Sequence, residues 1–264
     1  LYYGWVNGDF VFGSELKALK KHPNFKTEIN YSSVELLLKY NFIRSPNTIY
    51  KDVYKVKPGT YMTFSLNNFQ LTENIYWSLK ENIKKFDDQS LNKDYNKEFK
   101  NLLSKTVKKQ MISDVPVGVF LSGGTDSSLI ASLMAENSNQ PIKSFTVGFN
   151  EEQFNEAKDA KRVANYLNTN HTEIILDSNE ALNVVAKLPD IYCEPFADSS
   201  QIPTYLISKA TKKYVSVALS GDGGDELFGG YNKYKLVNND FYNLIFLPKK
   251  IRYLLSKLIM KISV

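Results

Sequence analysis

The pattern of hydrophobic and polar residues changes character near residues 80–92 of this 264-residue chain. Before that point, short aromatic and β-branched runs alternate with turn sequences, which is typical of β-hairpins. The stretch LYYGWVNGDFVFG predicts two strands joined at Asn7-Gly8-Asp9, and NTIYKDVYKVKPGTYMTFSL predicts a further hairpin around Pro58-Gly59. Between them, SSVELLLKYNF has helical spacing, with Ser32 or Ser33 predicted as its N-cap.

In the second half of the chain, short apolar runs alternate with helical segments. After a predicted helix over residues 91–113, we expect strands at 117–121, 143–149, 171–176 and 215–219, separated by helices at 127–136, 155–167 and 202–213. Fully apolar strands that alternate with helices predict a parallel sheet covered by helices on both faces. The predicted fold class is therefore α/β, preceded by a β-rich segment.

The composition narrows the choice of function classes. The net charge of +5 is spread over alternating Lys and Asp or Glu residues, and it gives no indication of nucleic-acid binding. A single cysteine, Cys193, excludes a disulfide framework and predicts a cytoplasmic location. We find no signal peptide and no apolar run that approaches the roughly 20 residues of a membrane span, so no membrane partner is expected.

Two glycine-rich loops of similar form follow predicted strands. They are VFLSGGTDSSLI, residues 119–130, and VALSGDGGDELFGGY, residues 217–231. Each continues a strand into Leu-Ser-Gly and then into a turn that carries acidic residues. Because ligands bind at the carboxyl ends of parallel strands, both loops are expected at one edge of the sheet. Asp126 and Asp225 are then expected to face a common point.

The residue types in these loops suit a polyphosphate and its metal. Amide groups exposed by the glycines and by the following helix N-terminus attract anions, and Mg²⁺ relieves the repulsion between the anion and two carboxylates. The first loop has neither the Gly-Lys-Ser/Thr of a Walker A motif nor the glycine spacing of a dinucleotide fingerprint. It is no Gly-x-Ser-x-Gly elbow either, and with only two histidines a serine nucleophile is disfavoured. Ordinary turn and cap roles for the serines remain the simpler alternative.

The two motifs also carry a family resemblance. LSGGTDSS resembles the pyrophosphate-binding loop of the ATP pyrophosphatases, and LSGDGGDELFGGY resembles asparagine synthetase of the glutamine-hydrolysing type. FVFGSELKAL and TIYKDVYKVKPGTYM are similar to the end of that family's N-terminal glutaminase domain. The resemblance covers most of the chain and is weakest over the last 30 residues. It implies the C-terminal part of a glutamine amidotransferase domain at 1–80, a linker at 81–92, and an ATP-binding synthetase domain at 93–264, incomplete at its C-terminus.

The resemblance implies ATP and Mg²⁺ as ligands and supplies roles for individual residues. Asp126 and Asp225 would hold the metal. The pyrophosphate loop and the adenosine contacts would comprise Leu121, Ser122, Gly123, Gly124, Asp126, Ser127, Ser128, Val147, Ser220 and Gly221. In the family, ATP converts the aspartate side-chain carboxylate into an acyl-adenylate, and glutamine-derived ammonia displaces AMP. The same chemistry on another carboxylate, such as a uronic acid, or in the closure of a lactam ring, is the alternative. A nucleotide-binding module without turnover is disfavoured by the presence of both acids, and a homodimer is left open.

The chain also departs from the family pattern. Asp222 stands where asparagine synthetases usually have Glu and β-lactam synthetases have Tyr, so we assign it a catalytic role at the adenylate. Gly224 replaces a common Ser. The family's glutaminase nucleophile is an N-terminal cysteine, whereas this chain opens with Leu1, so we expect a fragment. Cys193 lies in the synthetase part and is expected to be a buried small residue.

Two further segments have open interpretations at the level of sequence. In CEPFADSSQIPTY, the side chains of Asp198, Ser199 or Ser200 either contact the carboxylate substrate or cap the following helix. The basic amphipathic tail IFLPKKIRYLLSKLIMKISV is expected to pack on the synthetase core rather than on a membrane.

Overall fold

The computed structural model of the protein describes residues 1–86, 94–149, 156–176, 178–232, 234 and 247–262. The strands are β1 (Tyr2–Val6), β2 (Asp9–Gly13), β3 (Val53–Lys55), β4 (Thr60–Phe64), β5 (Leu71–Ile75), β6 (Val117–Phe120), β7 (Lys143–Phe149), β8 (Asn170–Leu176) and β9 (Val217–Leu219). The helices are α1 (Leu16–Leu19), α2 (Tyr31–Tyr40), α3 (Leu79–Phe86), α4 (Tyr95–Gln110), α5 (Thr125–Glu136), α6 (Ala157–Tyr166), α7 (Ser178–Val185), α8 (Leu188–Ile191), α9 (Gln201–Thr211), α10 (Gly224–Phe228) and α11 (Lys249–Ile262).

These elements form two compact units. The first comprises Leu1–Asn101 and Ile175–Ala210, and the second comprises Leu102–Ile174 and Thr211–Val264. Helix α3 covers residues 81–86, where no helix was predicted. Residues 87–92 lie outside the described part of the chain, so the linker expected at 81–92 stays a prediction.

The first unit confirms one predicted hairpin and corrects the other. β1 and β2 pair antiparallel from Tyr2 opposite Gly13 to Val6 opposite Asp9, so the turn predicted at Asn7-Gly8-Asp9 comprises Asn7 and Gly8, and Asp9 begins β2. The second prediction is wrong, since β3 pairs with β1 and β4 pairs with β5. The Gly59 carbonyl accepts the amide of Tyr76, so Gly59 continues the pairing of β4 with β5. The Pro58-Gly59 turn therefore does not join β3 and β4 into a hairpin.

The start of α2 also differs from the prediction. The helix begins at Tyr31 with Asn30 as N-cap residue, so the serine cap predicted at Ser32 or Ser33 is wrong. Ser33 lies within the first turn of the helix, and it is completely buried. The core of this unit contains Leu16, Leu19, Ile43, Ile49 and Val53, and Cys193 packs half-buried against it. The cysteine therefore packs against a core as a small residue, but it is only partly buried, whereas burial was expected.

The second unit contains the predicted parallel sheet, with strand order β8-β7-β6-β9. β6 runs parallel to both of its neighbours, β7 and β9. Its apolar core joins strand residues such as Val119 and Leu121 to Leu133 and Met134 of α5 and to Ala160 of α6. A parallel sheet flanked by helices confirms the predicted α/β fold class, with element ends within a few residues of those expected.

The prediction that the C-terminal helix α11 packs on the synthetase core is wrong for the residues whose burial the structure describes. All of its residues between Lys249 and Lys257 are exposed. Among the described residues, no helix is long and apolar enough to cross a membrane.

Candidate nucleotide-binding site

The two glycine-rich loops lie side by side at the point where the strand order reverses. From β6 the chain proceeds outward to β7 and then β8, whereas β9 returns to the opposite side of β6. The register of β6 and β9 is in step, with Val117 opposite Val217 and Val119 opposite Leu219. Both loops therefore leave the same edge of the sheet at neighbouring strands. In open α/β sheets this reversal point is where the ligand crevice forms.

The first loop is held by two of its own serines. Ser122 Oγ and Ser127 Oγ are 2.9 Å apart, and Ser127 Oγ also accepts the Ser122 amide at 3.2 Å. Ser127 Oγ donates to the Gly124 carbonyl at 3.2 Å, and Ser122 Oγ accepts the Gly124 amide at 3.3 Å. These two hydroxyls therefore shape the turn, which supports the simpler interpretation of serine as a turn residue at both positions.

Ser128 differs from the other two serines. Its hydroxyl is buried and has no hydrogen-bond partner among the described residues. The N-cap of α5 is Gly124, which has no side chain to satisfy the amides of the first helical turn. An unpaired hydroxyl and a helix N-terminus beside a glycine-rich turn are arranged as anionic oxygens require.

Glycine is required where the loops meet their surroundings closely. Gly123 has φ +82°, and a Cβ there would stand 2.7 Å from the Ala160 amide nitrogen in α6. A Cβ on Gly221 of the second loop would stand 2.8 Å from the amide nitrogen of Ser127 and 2.9 Å from the carbonyl carbon of Asp126. The backbones of the two loops are thus in direct contact.

The predicted metal ligands come from these contacting loops. The Asp126 carboxylate lies directly against Gly224, where a Cβ would overlap it, and Gly224 immediately precedes Asp225. Both acids belong to the first turn of a helix, α5 for Asp126 and α10 for Asp225. Two carboxylates and a nearby phosphate site fit Mg²⁺, which binds through one or two carboxylates together with substrate phosphates. Their assignment as ligands remains a prediction.

The other predicted contacts lie on β7 or directly after β6 and β9. Val147 is near the end of β7, and the Leu121 amide donates to the Phe145 carbonyl of β7 at 2.9 Å. Asp222 is exposed in the second loop, and its Oδ2 accepts the Ser220 hydroxyl at 3.0 Å. The structure thus brings all the predicted site residues to β6, β7, β9 and the two loops, and their individual roles stay predictions.

Sequence reasoning missed the contribution of α6 and the end of the second motif. A groove of about 590 Å³ runs beside the first loop, lined by Gly123, Ser128, Ser132, Asp159, Arg162, Val163, Tyr166 and Leu167. At the other motif, the Tyr231 hydroxyl donates to Glu226 Oε1 at 2.6 Å, and this hydrogen bond raises the pKa of Tyr231 to about 12. The sequence of the motifs does not reveal the groove or this hydrogen bond, because both depend on how the loops fold.

The chain does contain one serine–histidine contact, but it is internal. Ser144 is completely buried, and its Oγ lies 2.8 Å from His171 Nδ1 and 2.7 Å from Thr169 Oγ1. His171 Nε2 is buried and has no hydrogen-bond partner among the described residues. Ser144 is buried as a whole residue and, unlike Ser128, is not among the residues that line the groove beside the first loop, so this contact belongs to the core of the second unit.

We expect the burial of His171 to make the protein less stable in mild acid. Desolvation lowers the pKa of His171 below its ordinary value near 6.5, so the unfolded chain binds a proton more readily than the folded one. The associated stability is present above about pH 6.5 and is lost as the pH falls through the lowered pKa. Urea midpoints measured between pH 7.5 and 5.5 should decrease, and His171→Gln should flatten the decrease. His22→Gln, which removes the other histidine, serves as the control and should retain it.

The loop that precedes α9 belongs to the first unit. Asp198 Oδ1 accepts the amide of Ser200 at 2.8 Å, and this hydrogen bond lowers the pKa of the Asp198 carboxyl. Asp198 therefore stabilises the turn that leads into α9, and the capping of this helix by Asp198, Ser199 or Ser200 stays a prediction. A contact of this loop with the substrate carboxylate stays a prediction.

Comparison with known families matches a different family model to each of the two parts of the sequence. Residues 98–261 match the model of the family described as asparagine synthase, and residues 1–77 match that of the glutamine amidotransferase domain. Among solved structures, the chain is partly similar to an NH3-dependent NAD synthetase from Campylobacter jejuni. That likeness has 17% sequence identity and a TM-score of 0.37, and it covers 52% of this chain and 60% of the other.

Curated relatives match nearly the whole chain. A putative asparagine synthetase [glutamine-hydrolyzing] 2 of Methanocaldococcus jannaschii is 39% identical over 98% of this chain and 50% of its own length. Asparagine synthetase [glutamine-hydrolyzing] 1 of Bacillus subtilis is 37% identical over 89% of this chain and 36% of its own length. The chain therefore spans half or less of these two relatives.

Proposed function

Because the chain belongs to the asparagine synthase family, we propose that it carries the nucleotide site of a ligase that amidates aspartate to asparagine. ATP would be the activating substrate and glutamine the source of ammonia, in agreement with the names of its relatives. The observation that carries the proposal is the direct contact of two glycine-rich, acid-bearing loops at the strand-order reversal. We further propose a cytoplasmic location, on the single cysteine.

The reaction in this proposal proceeds through a β-aspartyl-AMP intermediate. A carboxylate oxygen of aspartate attacks the α-phosphorus of ATP, and pyrophosphate leaves. Ammonia then attacks the acyl carbon, and AMP leaves with the oxygen that came from the carboxylate. Adenylation is needed because a free carboxylate is a poor electrophile, whereas AMP is a good leaving group.

Each part of the site has a role in this scheme. The α5 amides and the Ser128 hydroxyl bind the pyrophosphate oxygens and stabilise the charge that develops as the bond breaks. Leu121, Val147 and the Ser220-Gly221 pair contact the adenosine. Asp126 and Asp225 would hold Mg²⁺, which supplies charge neutralisation for the departing pyrophosphate. Asp222, beside Ser220, acts at the adenylate.

An oxygen-transfer experiment tests this proposal directly. The protein expressed from its own gene, so that any residues beyond 1–264 are included, is incubated with Mg-ATP, ammonia and aspartate labelled with ¹⁸O in the β-carboxylate. We expect asparagine, pyrophosphate and AMP carrying one ¹⁸O atom. Formation of ADP and phosphate, or of unlabelled AMP, would contradict the acyl-adenylate.

A second acceptor is suggested by Asp222, which stands where the family resemblance implies Glu. A carboxylate shortened by one methylene changes the space available beside the adenylate. The alternative is therefore the same adenylation of another carboxylate, such as a uronic acid, or a lactam closure. A panel of carboxylates, assayed by pyrophosphate release, distinguishes these acceptors, and release with a uronic acid but not with aspartate would select the alternative.

A further inference from the structure

Glu194 joins the two family-matched parts of the sequence inside the first compact unit. It lies in the part matched by the asparagine synthase model, whereas its partners lie in the part matched by the amidotransferase model. Its carboxylate forms an ion pair with Lys55 of β3, and its Oε2 accepts the amide of Ile49 at 3.2 Å. The Tyr2 side chain of β1 lies close enough for the Glu194 charge to raise the pKa of Tyr2. Three groups from residues 1–55 thus converge on one side chain from residue 194.

The Glu194–Lys55 pair is largely buried, and it is the least exposed of the ion pairs described in this unit. The side chains of Glu194 and Lys55 are only 12% and 20% exposed, compared with 56% and 53% for the Glu28–Lys51 pair. Lys55 Nζ also donates to the Ile43 carbonyl at 2.7 Å. Buried charges persist in proteins when they are paired and hydrogen-bonded, and removal of one partner leaves an uncompensated charge. Burial, followed by the nearby Glu194 charge, raises the pKa of Tyr2 to about 12, so its hydroxyl stays protonated beside the carboxylate.

Backbone and apolar contacts extend the attachment on either side of Glu194. Cys193 packs against the core formed by residues of the amidotransferase-matched part. The amide of Ala197 donates to the Asn41 carbonyl at 2.7 Å, one residue before Asp198. The segment 193–197, which we term the docking segment, is therefore held at both ends, and Glu194 supplies its buried charged contact.

We infer that Glu194 is a positioning residue that fastens the docking segment to the amidotransferase-matched strands and thereby couples glutamine-derived nitrogen to amidation. The coupling half of this inference rests on the proposed function, whereas the docking half stands on the contacts alone. Neutralising Glu194 leaves the largely buried Lys55 beside an uncharged amide and weakens the bond from the Ile49 amide. The docking segment is then expected to detach more often, while the nucleotide loops of the second unit are unchanged in sequence.

Two measurements on the protein expressed from its own gene test the inference, with Glu194→Gln as the variant and Glu28→Gln as the matched control. By hydrogen exchange, amides in the docking segment should exchange at least about tenfold faster in Glu194→Gln, since local opening loses its charged anchor. Glutamine-dependent amidation should fall about tenfold relative to ammonia-dependent amidation, a typical size for a coupling between sites. Glu28→Gln should change neither quantity.

The outcomes separate this inference from the proposed function. Unchanged exchange in the docking segment, or an equal loss of activity with both nitrogen donors, would overturn it. If the wild-type protein amidates nothing with either donor, the proposed function fails, and the exchange measurement still decides the docking. If Glu194→Gln does not fold, the double variant Glu194→Gln/Lys55→Gln removes the unpaired charge and is held to the same expectations.

Discussion

Replacing Asp222 by Asn is expected to leave nucleotide binding nearly intact and to slow acceptor-dependent pyrophosphate release by about a hundredfold, the scale of losing one positioned polar group in a transition state. Asp222 is exposed at the end of β9, between the Ser220-Gly221 pair and the predicted metal ligand Asp225. Asn preserves the size of the side chain and still offers an oxygen to the Ser220 hydroxyl, which donates to Asp222 Oδ2 at 3.0 Å. The variant therefore removes the negative charge without removing the hydrogen bond that shapes the turn.

The measurement pairs nucleotide affinity with the rate of pyrophosphate release under saturating acceptor. Asp114→Asn is the matched control, because Asp114 is another exposed aspartate of the second unit and precedes β6 instead of following it. It should retain the wild-type rate. If Asp222→Asn turns over normally, its carboxylate serves only the geometry of the glycine-rich turn. The role at the adenylate would then have to be assigned to a different residue.

The second large effect is expected at Asp225. Asp225→Asn should weaken Mg²⁺-dependent nucleotide binding by about tenfold to a hundredfold, because loss of a direct ligand costs at least as much as loss of the groups that support one. Binding of nucleotide without metal should change little, so the ratio of the two affinities is the diagnostic quantity. Asp126→Asn should behave in the same way, since Asp126 reaches this point from the contacting loop.

Glu226→Gln provides the control for the change in net charge. Glu226 is the next residue along α10, and its Oε1 accepts the Tyr231 hydroxyl. If Glu226→Gln weakens metal-dependent binding as much as Asp225→Asn, the effect reports the local electrostatic field and not a metal ligand. An unchanged affinity ratio in Asp225→Asn would also contradict the assignment.

The two variants are expected to fail in different ways, and this contrast tests the site more sharply than either loss alone. Asp222→Asn should bind Mg-nucleotide and react slowly, whereas Asp225→Asn should recover activity as the concentrations of Mg²⁺ and ATP are raised. Raising the concentrations of Mg²⁺ and ATP does not restore a reaction step that needs the missing carboxylate at the reacting centre. A weakened metal site is filled again by mass action.

The elements that could be predicted from sequence are those set by neighbouring residues. The hairpin at Asn7-Gly8 follows from backbone preferences, since both residues adopt positive φ, at 50° and 90°. The strand-loop-helix form of each motif also follows from local pattern, as β6 with α5 and β9 with α10 show. Helix α3 was missed because its charged sequence resembles a linker, although its spacing supports a helix.

Pairings between distant residues could not be predicted in this way. The pairing of β3 with β1, which sets Lys55 opposite Tyr2, depends on which free strand edges meet in space, and local propensity does not encode this. The same holds for Glu194, whose partner Lys55 is 139 positions away in the chain (194 − 55). Its carboxylate needs a cation because it is buried, and burial exists only in the folded unit.

By itself, the sequence determined the chemistry of the candidate site. Glycines, acids and hydroxyls at the ends of two strands suffice to predict an anion and metal site, because backbone freedom and charge are properties of the residues themselves. Only the tertiary structure decided that β9 returns to lie beside β6, so that Gly221 touches the backbone of Asp126 and Ser127. It also decided which serines are consumed by the turn and which hydroxyl, that of Ser128, is left unpaired. The contact between the two loops depends on packing, because Gly221 and Asp126 are 95 positions apart in the chain (221 − 126), beyond the range of local pattern.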